Sequence, residues 1–184
     1  MAADKESTYP DDAPTYRRIR DRVRVFNKRS LNPVTLRFAG RRFSPYGVVR
    51  HIGRRSGRTY DTPVVVATSG DWFVVPLPYG IDVDWYQNVR AADECTILYQ
   101  GSAYRGVSPR LVDPAAVPEA FPEWVHRLVR RGGAGQYLRV KRGEAVPEVY
   151  REVTEEHPVE PLVAGVVVLF LLGAVIRQLA KVFN

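Results

Sequence analysis

At 184 residues, 45% hydrophobic and 26% charged, the chain fits one compact domain and excludes wholesale disorder. Its net charge of +7 is unevenly laid out: residues 16–58 hold fourteen basic side chains and one acid, Asp21, against thirteen basic and nineteen acidic in the rest. Such a segment suits phosphates, anionic lipid headgroups or nucleic acid. An arginine-biased composition would also inflate it, since 23 of the 27 cations are Arg. Aromatic residues are few in the block, so nucleic acid is not expected as a partner. One Cys, Cys95, forbids an internal disulfide, and three scattered His exclude an expected structural metal site.

Residues 1–13 are polar and acidic and expected to be disordered, and the lack of a signal peptide's apolar core there points to a cytosolic catalytic face. Residues 14–29 read as a basic amphipathic helix, with Ile19, Val23 and Phe26 at helical spacing among arginines. Its narrow stripe admits either packing on the domain or contact with a lipid surface. Asn32-Pro33 is the expected stop. Strand signals follow at 47–51, 59–68 and 71–76, the last two joined by a Ser69-Gly70-Asp71 turn. Asp84 is the expected N-cap of a helix over 85–92. Strands at 94–100 and 104–112 flank a Gly101-Ser102 turn, residues 114–131 read as helix broken by Pro118 and Pro122, and a last strand covers 136–140. The pattern predicts a mainly β chain with helices (α+β), a small antiparallel barrel with helical additions.

Beyond Lys141 the composition changes. Residues 143–160 carry six Glu against one Arg, read as an acidic spacer that starts with a short helix. Residues 162–176 are fifteen apolar positions in a row. That run spans about 22 Å of helix against a hydrocarbon core of roughly 30 Å, and reaches across if extended to 183 with Arg177 and Lys181 at headgroup level. A membrane anchor over 161–184 is the first reading, with a buried or dimer-burying helix as the other. The flanking cations favour the cytoplasmic face of the cell membrane for the domain, and a plainly cytoplasmic protein is the alternative. The expected organisation is thus 1–13 disordered, 14–142 barrel domain with its N-terminal helix, 143–160 spacer and 161–184 anchor.

Two stretches carry candidate chemistry. In Gly53-Arg54-Arg55-Ser56-Gly57-Arg58, glycines let backbone N–H groups approach an anion, arginines add forked donors and Ser56 a hydroxyl. It is a phosphate cradle in chemical terms and lacks the Walker spacing; a merely solvated hairpin turn is the other reading. Pro76-Leu77-Pro78-Tyr79-Gly80 followed by Asp84-Trp85-Tyr86-Gln87-Asn88 places aromatics and an amide beside a rigid loop. Trp85 could stack on a planar ring while Asn88 reads its polar edge, or could simply anchor the helix.

Together with Phe26-Asn27, Asn32-Pro33 and Thr62-Pro63, these stretches make residues 20–140 resemble the deazaflavin-dependent nitroreductase family. The resemblance implies a split β-barrel of the flavin-reductase, FMN-binding type. It implies coenzyme F(420), an 8-hydroxy-5-deazaflavin with a phosphodiester and a polyglutamate tail, with FMN as the alternative. It further implies hydride transfer to an electrophilic, apolar acceptor such as a quinone, enone or nitro compound; a non-catalytic, membrane-tethered deazaflavin carrier is the rival. By resemblance Arg54, Arg55, Ser56 and Gly57 hold the phosphate and acidic tail. Pro63 and Val64 lie beside the ring, Tyr79 and Gly80 form a neighbouring loop, and Trp85 and Asn88 close over the cofactor. Tyr79-Gly80 stands where relatives carry Lys-Gly or Gly-Gly, and the apolar tail departs from the family pattern. Tyr137 aligns only loosely with the family's C-terminal tyrosines, so no proton donor is assigned. The membrane is the expected partner through 162–183 and the basic helix 14–29.

Overall fold

The computed structural model describes residues 32–44, 46–131 and 135–158. The expected disordered start, the helix over 14–29 and the apolar run with its anchor lie outside the described residues. The elements in order are helix α1 (Asn32–Leu36), strands β1 (Tyr46–Ile52), β2 (Thr59–Val65), β3 (Ala67–Ser69) and β4 (Trp72–Pro76), helix α2 (Asp84–Ala92), and strands β5 (Glu94–Tyr99) and β6 (Ser102–Val112). Two 3-10 turns (Pro114–Ala116, Pro118–Ala120), helix α3 (Glu123–Arg131), strand β7 (Tyr137–Ala145) and helix α4 (Pro147–Glu156) complete it.

All seven strands form one sheet in the order β2-β1-β5-β6-β7-β4-β3, with every ladder antiparallel. The two outermost strands, β2 and β3, are separated in sequence by Val66 alone. A flat sheet would hold them far apart, so the sheet curls until its edges meet, which makes a half-barrel. Bulges in β6, with Ser108 at φ 53°, supply part of the bend.

Alternation explains why the strands are buried on both faces. Val49, Phe73, Val75, Ile97, Leu138 and Val140 point into the curl and pack with Tyr86 and Val89 of α2. Val48, Leu98 and Ala103 point outward beneath Val153 of α4. Val74 and Tyr137 point outward beneath Val117 and Phe121. At roughly 1.5–3 kcal/mol per fully buried aliphatic side chain, these three clusters dominate the favourable side of folding.

The strands fall close to where alternation predicts, but the one expected over 59–68 breaks at Val66 into β2 and β3, a short helix begins at Asn32 where a stop was expected, and three further boundaries differ. The β5–β6 turn is Gln100-Gly101, one residue early, because both residues take left-handed φ (48° and 82°), the geometry a two-residue hairpin needs. Asp84 is the first residue of α2 rather than its cap; Val83 precedes the helix and makes no side-chain cap bond. Finally, β7 runs on to Ala145 and α4 packs on the sheet, so residues 143–156 belong to the fold where a spacer was expected. Beyond Val140 the strand is charged and exposed, which hides its period, and α4 fully buries only Val153.

Candidate functional site

β1 and β2 are joined by residues 53–58, closed by Gly53 N–H to Arg58 O and Gly57 N–H to Gly53 O, both 2.8 Å. Gly57 is required by its φ of 65°. Gly53 is required by space: a Cβ there would sit 2.5 Å from Ser56 Oγ and 2.7 Å from Tyr60 Cε2. Ser56 Oγ and Tyr60 OH share a hydrogen bond of 3.1 Å, fixing the far side of the turn.

The turn is clasped to α2. Asn88 Oδ1 accepts from the Arg54 backbone N–H at 3.1 Å and from Arg54 Nη1 at 2.7 Å. Arg54 Nη1 also donates to Asp84 O at 3.3 Å, and Nη2 pairs with Asp84 Oδ1 at 3.1 Å. The Asp84 side chain thus reaches across to Arg54 rather than back to its own helix. The two motifs on which the sequence resemblance rests, about thirty residues apart, meet here in space.

Because Asn88 Oδ1 is occupied by donors, its Nδ2 donates to His51 Nδ1 at 3.2 Å. The His51 ring proton therefore sits on Nε2, which donates to Thr62 Oγ1 at 3.1 Å. His51 is 5% exposed, and desolvation lowers its pKa to about 4 against the pull of Asp61 and Asp84, so the ring is neutral. Sequence reading passed over His51. The available signal was its place two residues after Val49, on the face of β1 that points into the curl.

The expected cofactor residues thus divide. Arg54 and Asn88 make the clasp, and Asn88 is buried with its Oδ1 held by two Arg54 donors and one Nδ2 hydrogen given to His51. Arg55 is exposed, and among the described residues neither its guanidinium nor that of Arg58 has a partner. The backbone N–H groups of Arg55 and Ser56 are likewise unbonded among those residues. Val64, Tyr79 and Trp85 all pack against the inner cluster, and Trp85 meets Tyr86 edge-on at 6.4 Å. Gly80, at φ 76°, turns the loop through its N–H to Leu77 O. Pro63 pairs with Val48 and shares its outward face, so of Pro63 and Val64 only Val64 faces the inside. Tyr137 is fully buried on the outer face, bonded to His126 Nδ1 at 3.0 Å, and so is remote from a role as proton donor at this turn.

Outside this site, Asp61, Glu156 and His157 bring three potential metal-ligand atoms within 4.8 Å of one another. A resident cation already occupies the cluster. Arg50 binds both oxygens of Asp61 at 2.8 and 3.0 Å, Glu152 at 2.6 Å and Glu156 at 2.7 Å. A hollow of about 310 Å³ lined by Arg50, Asp61, Glu152 and Glu156 is the surface expression of this network. Cys95 is buried, and desolvation pushes its thiol up to about 12, which makes it a packing residue rather than a nucleophile.

The chain matches no protein-family model and no curated protein. Among solved structures it is similar to an F(420)-H2-dependent reductase (15% identity, 53% of this chain and 94% of that one, TM-score 0.41) and to an F(420) reductase (14%, 59% and 92%, 0.40). A Listeria innocua protein provisionally assigned as a pyridoxamine 5′-phosphate oxidase aligns at 10% identity over 70% of this chain and 98% of that one, with a TM-score of 0.42. These likenesses are distant.

Proposed function

We propose that the protein is a deazaflavin-dependent oxidoreductase that passes a hydride from reduced coenzyme F(420) to an electrophilic, apolar acceptor such as a quinone, enone or nitro compound. The observation that carries this reading is the clasp, Arg54 to Asn88 and Asp84. It rigidly sets a turn with two arginines, unpaired among the described residues, beside the helix start that presents Trp85. An anionic tail suits the turn: Arg55 and Arg58 supply forked cations, and the N–H groups of Arg55 and Ser56, in the same turn, add backbone donors. Arg54 acts by positioning the turn, not by touching the anion. Val64, Tyr79 and Trp85 offer the apolar side on which a planar ring would lie, closed from below by the inner cluster. The cofactor, when bound, supplies the hydride; the chain binds it, orients it and excludes water.

Fluorescence titration with coenzyme F(420) tests the site. Arg55→Ala and Arg58→Ala each weaken binding about tenfold, as loss of a hydrogen bond to a charged group entails. Arg54→Ala instead lowers thermal stability as well. Unchanged affinity in both outer variants would sink the assignment. The cradle would also take the phosphate of FMN, so the same titration with FMN decides between the two cofactors. Turnover of menadione with the reduced coenzyme separates a reductase from a carrier, which binds without oxidising it.

A further inference from the structure

We propose that the loop between α1 and β1, with Phe43 at its tip, is a docking surface for an anionic lipid membrane. Phe43 is 93% exposed, far more than any other large apolar side chain described. It is not a loose end. Ser44 N–H bonds Arg41 O at 3.1 Å, Gly40 N–H bonds Tyr46 O and Gly101 N–H bonds Gly40 O, both at 2.7 Å, so the loop is tied to β1 and to the β5–β6 turn. A rigid support that holds a phenyl ring in solvent lowers the ordering cost of inserting it elsewhere.

Charge around the ring chooses the partner. Arg37, Arg41 and Arg42 surround it in sequence, the Arg42 guanidinium lies 6.0 Å from the ring centre, and no acidic residue occurs from 32 to 58. Of the nearby α4 glutamates, Glu152 and Glu156 are held on Arg50. A cation beside an apolar tip, in a stretch without acids, matches a phosphate-bearing headgroup layer over hydrocarbon, and a neutral protein surface would leave the cations unanswered.

Chain connectivity gives an independent argument. Arg41 Nε donates to Arg37 O at 2.7 Å, and its Nη2 donates to His157 O at 3.0 Å. The loop is thus bonded to the last turn of the described chain. Residues 162–176, uniformly apolar, begin four positions after Pro158, and residues 16–31, with seven cations and one acid, join α1 at Asn32. The apolar stretch 162–176 thus follows, within five positions, a residue that is hydrogen-bonded to the loop that carries Phe43.

The test uses the full chain with an environment-sensitive thiol probe on Phe43→Cys, while Cys95 stays buried and unlabelled, and a control probe on Thr68→Cys, exposed on β3. Vesicles of phosphatidylcholine with phosphatidylglycerol should shift the Phe43→Cys emission to the blue and leave the control unchanged. Vesicles of phosphatidylcholine alone should give little response. The double variant Arg42→Ser with Phe43→Ser should lower partitioning onto anionic vesicles about tenfold, given one lost phenyl and one lost cation. Co-sedimentation with an unmoved Phe43→Cys probe would show that the terminal segments bind lipid without the loop, and overturns the proposal. A probe already shielded without vesicles, in a protein that sizes as a dimer, overturns it too by assigning the tip to a second copy.

Discussion

Asn88 uses its carbonyl for Arg54 and its amide for His51, so one buried side chain fixes both the turn and a histidine tautomer. The histidine in turn gives the protein a pH dependence of definite sign. Folded His51 titrates at about 4 and unfolded His near 6.5. Between those values the unfolded chain takes up a proton that the folded chain refuses, so stability is full above about pH 6.5 and falls as the pH drops toward 4. The full gap corresponds to roughly 3 kcal/mol, of which about 2 kcal/mol is lost between pH 7 and pH 5. Urea unfolding at pH 7 and pH 5 should show this loss in the native protein and a flatter profile in His51→Gln. Parallel profiles would mean that other groups set the slope. The local sequence offered only its alternation with Val49, which shows burial and not a bonding role. A lone His in a short strand reads like any other half-polar position until Thr62 and Asn88, from 11 and 37 residues away, are seen to bond it.

At the scale of elements, α4 shows how a charged helix can belong to a core. Its burial is slight, Val153 with Val149 and Tyr150 beside it, but Arg50 of β1 reaches out to Glu152 and Glu156 while also holding Asp61 of β2. Arg50 and Asp61 have side chains only 11% and 7% exposed. Removing the cation strands the buried carboxylate, so Arg50→Met should cost about 3–5 kcal/mol, much of it recovered in the Arg50→Met, Asp61→Asn pair. Chemical denaturation of the four proteins of that cycle gives the coupling directly; simple additivity would show that Asp61 finds another partner. The helix was legible in sequence as a short helix, but not its docking. Six glutamates resemble a solvated spacer because their partner, Arg50, lies about a hundred residues earlier. The strands were legible because each carries its own alternation: Val48 and Val49, or Phe73 to Val75, declare two buried faces without reference to any other element. For the site, the sequence located the turn and the helix start. It could not divide the labour among Arg54, Arg55 and Arg58, since only contact with Asn88 and Asp84 separates the clasping arginine from the other two.

Over the whole molecule the decisive event is closure, when the edges of a seven-stranded sheet come within one residue of each other at Val66. The linking residue Val66 follows the β1–β2 ladder and lies against β1: a Cβ on Gly47 would lie 2.5 Å from Val66 Cγ2 and 2.7 Å from Leu98 O. Gly47 has ordinary backbone angles, so its role is purely to let the linking residue approach. Gly47→Ala should therefore destabilise the protein by about 2 kcal/mol, in the range for overpacking a filled core. Val66→Ala should also destabilise it, by a similar amount, because Val66 is 4% exposed and its loss leaves a void. The two changes should not add. In the double variant the new methyl enters the space that Val66 vacates, giving a favourable coupling of roughly 1 kcal/mol in a double-mutant cycle. Recovery stays partial because Leu98 O belongs to the backbone of β5 and cannot withdraw. Strict additivity would place the strain wholly at Leu98 O, and Val66 would then be a passive link instead of the residue on which the closed sheet packs.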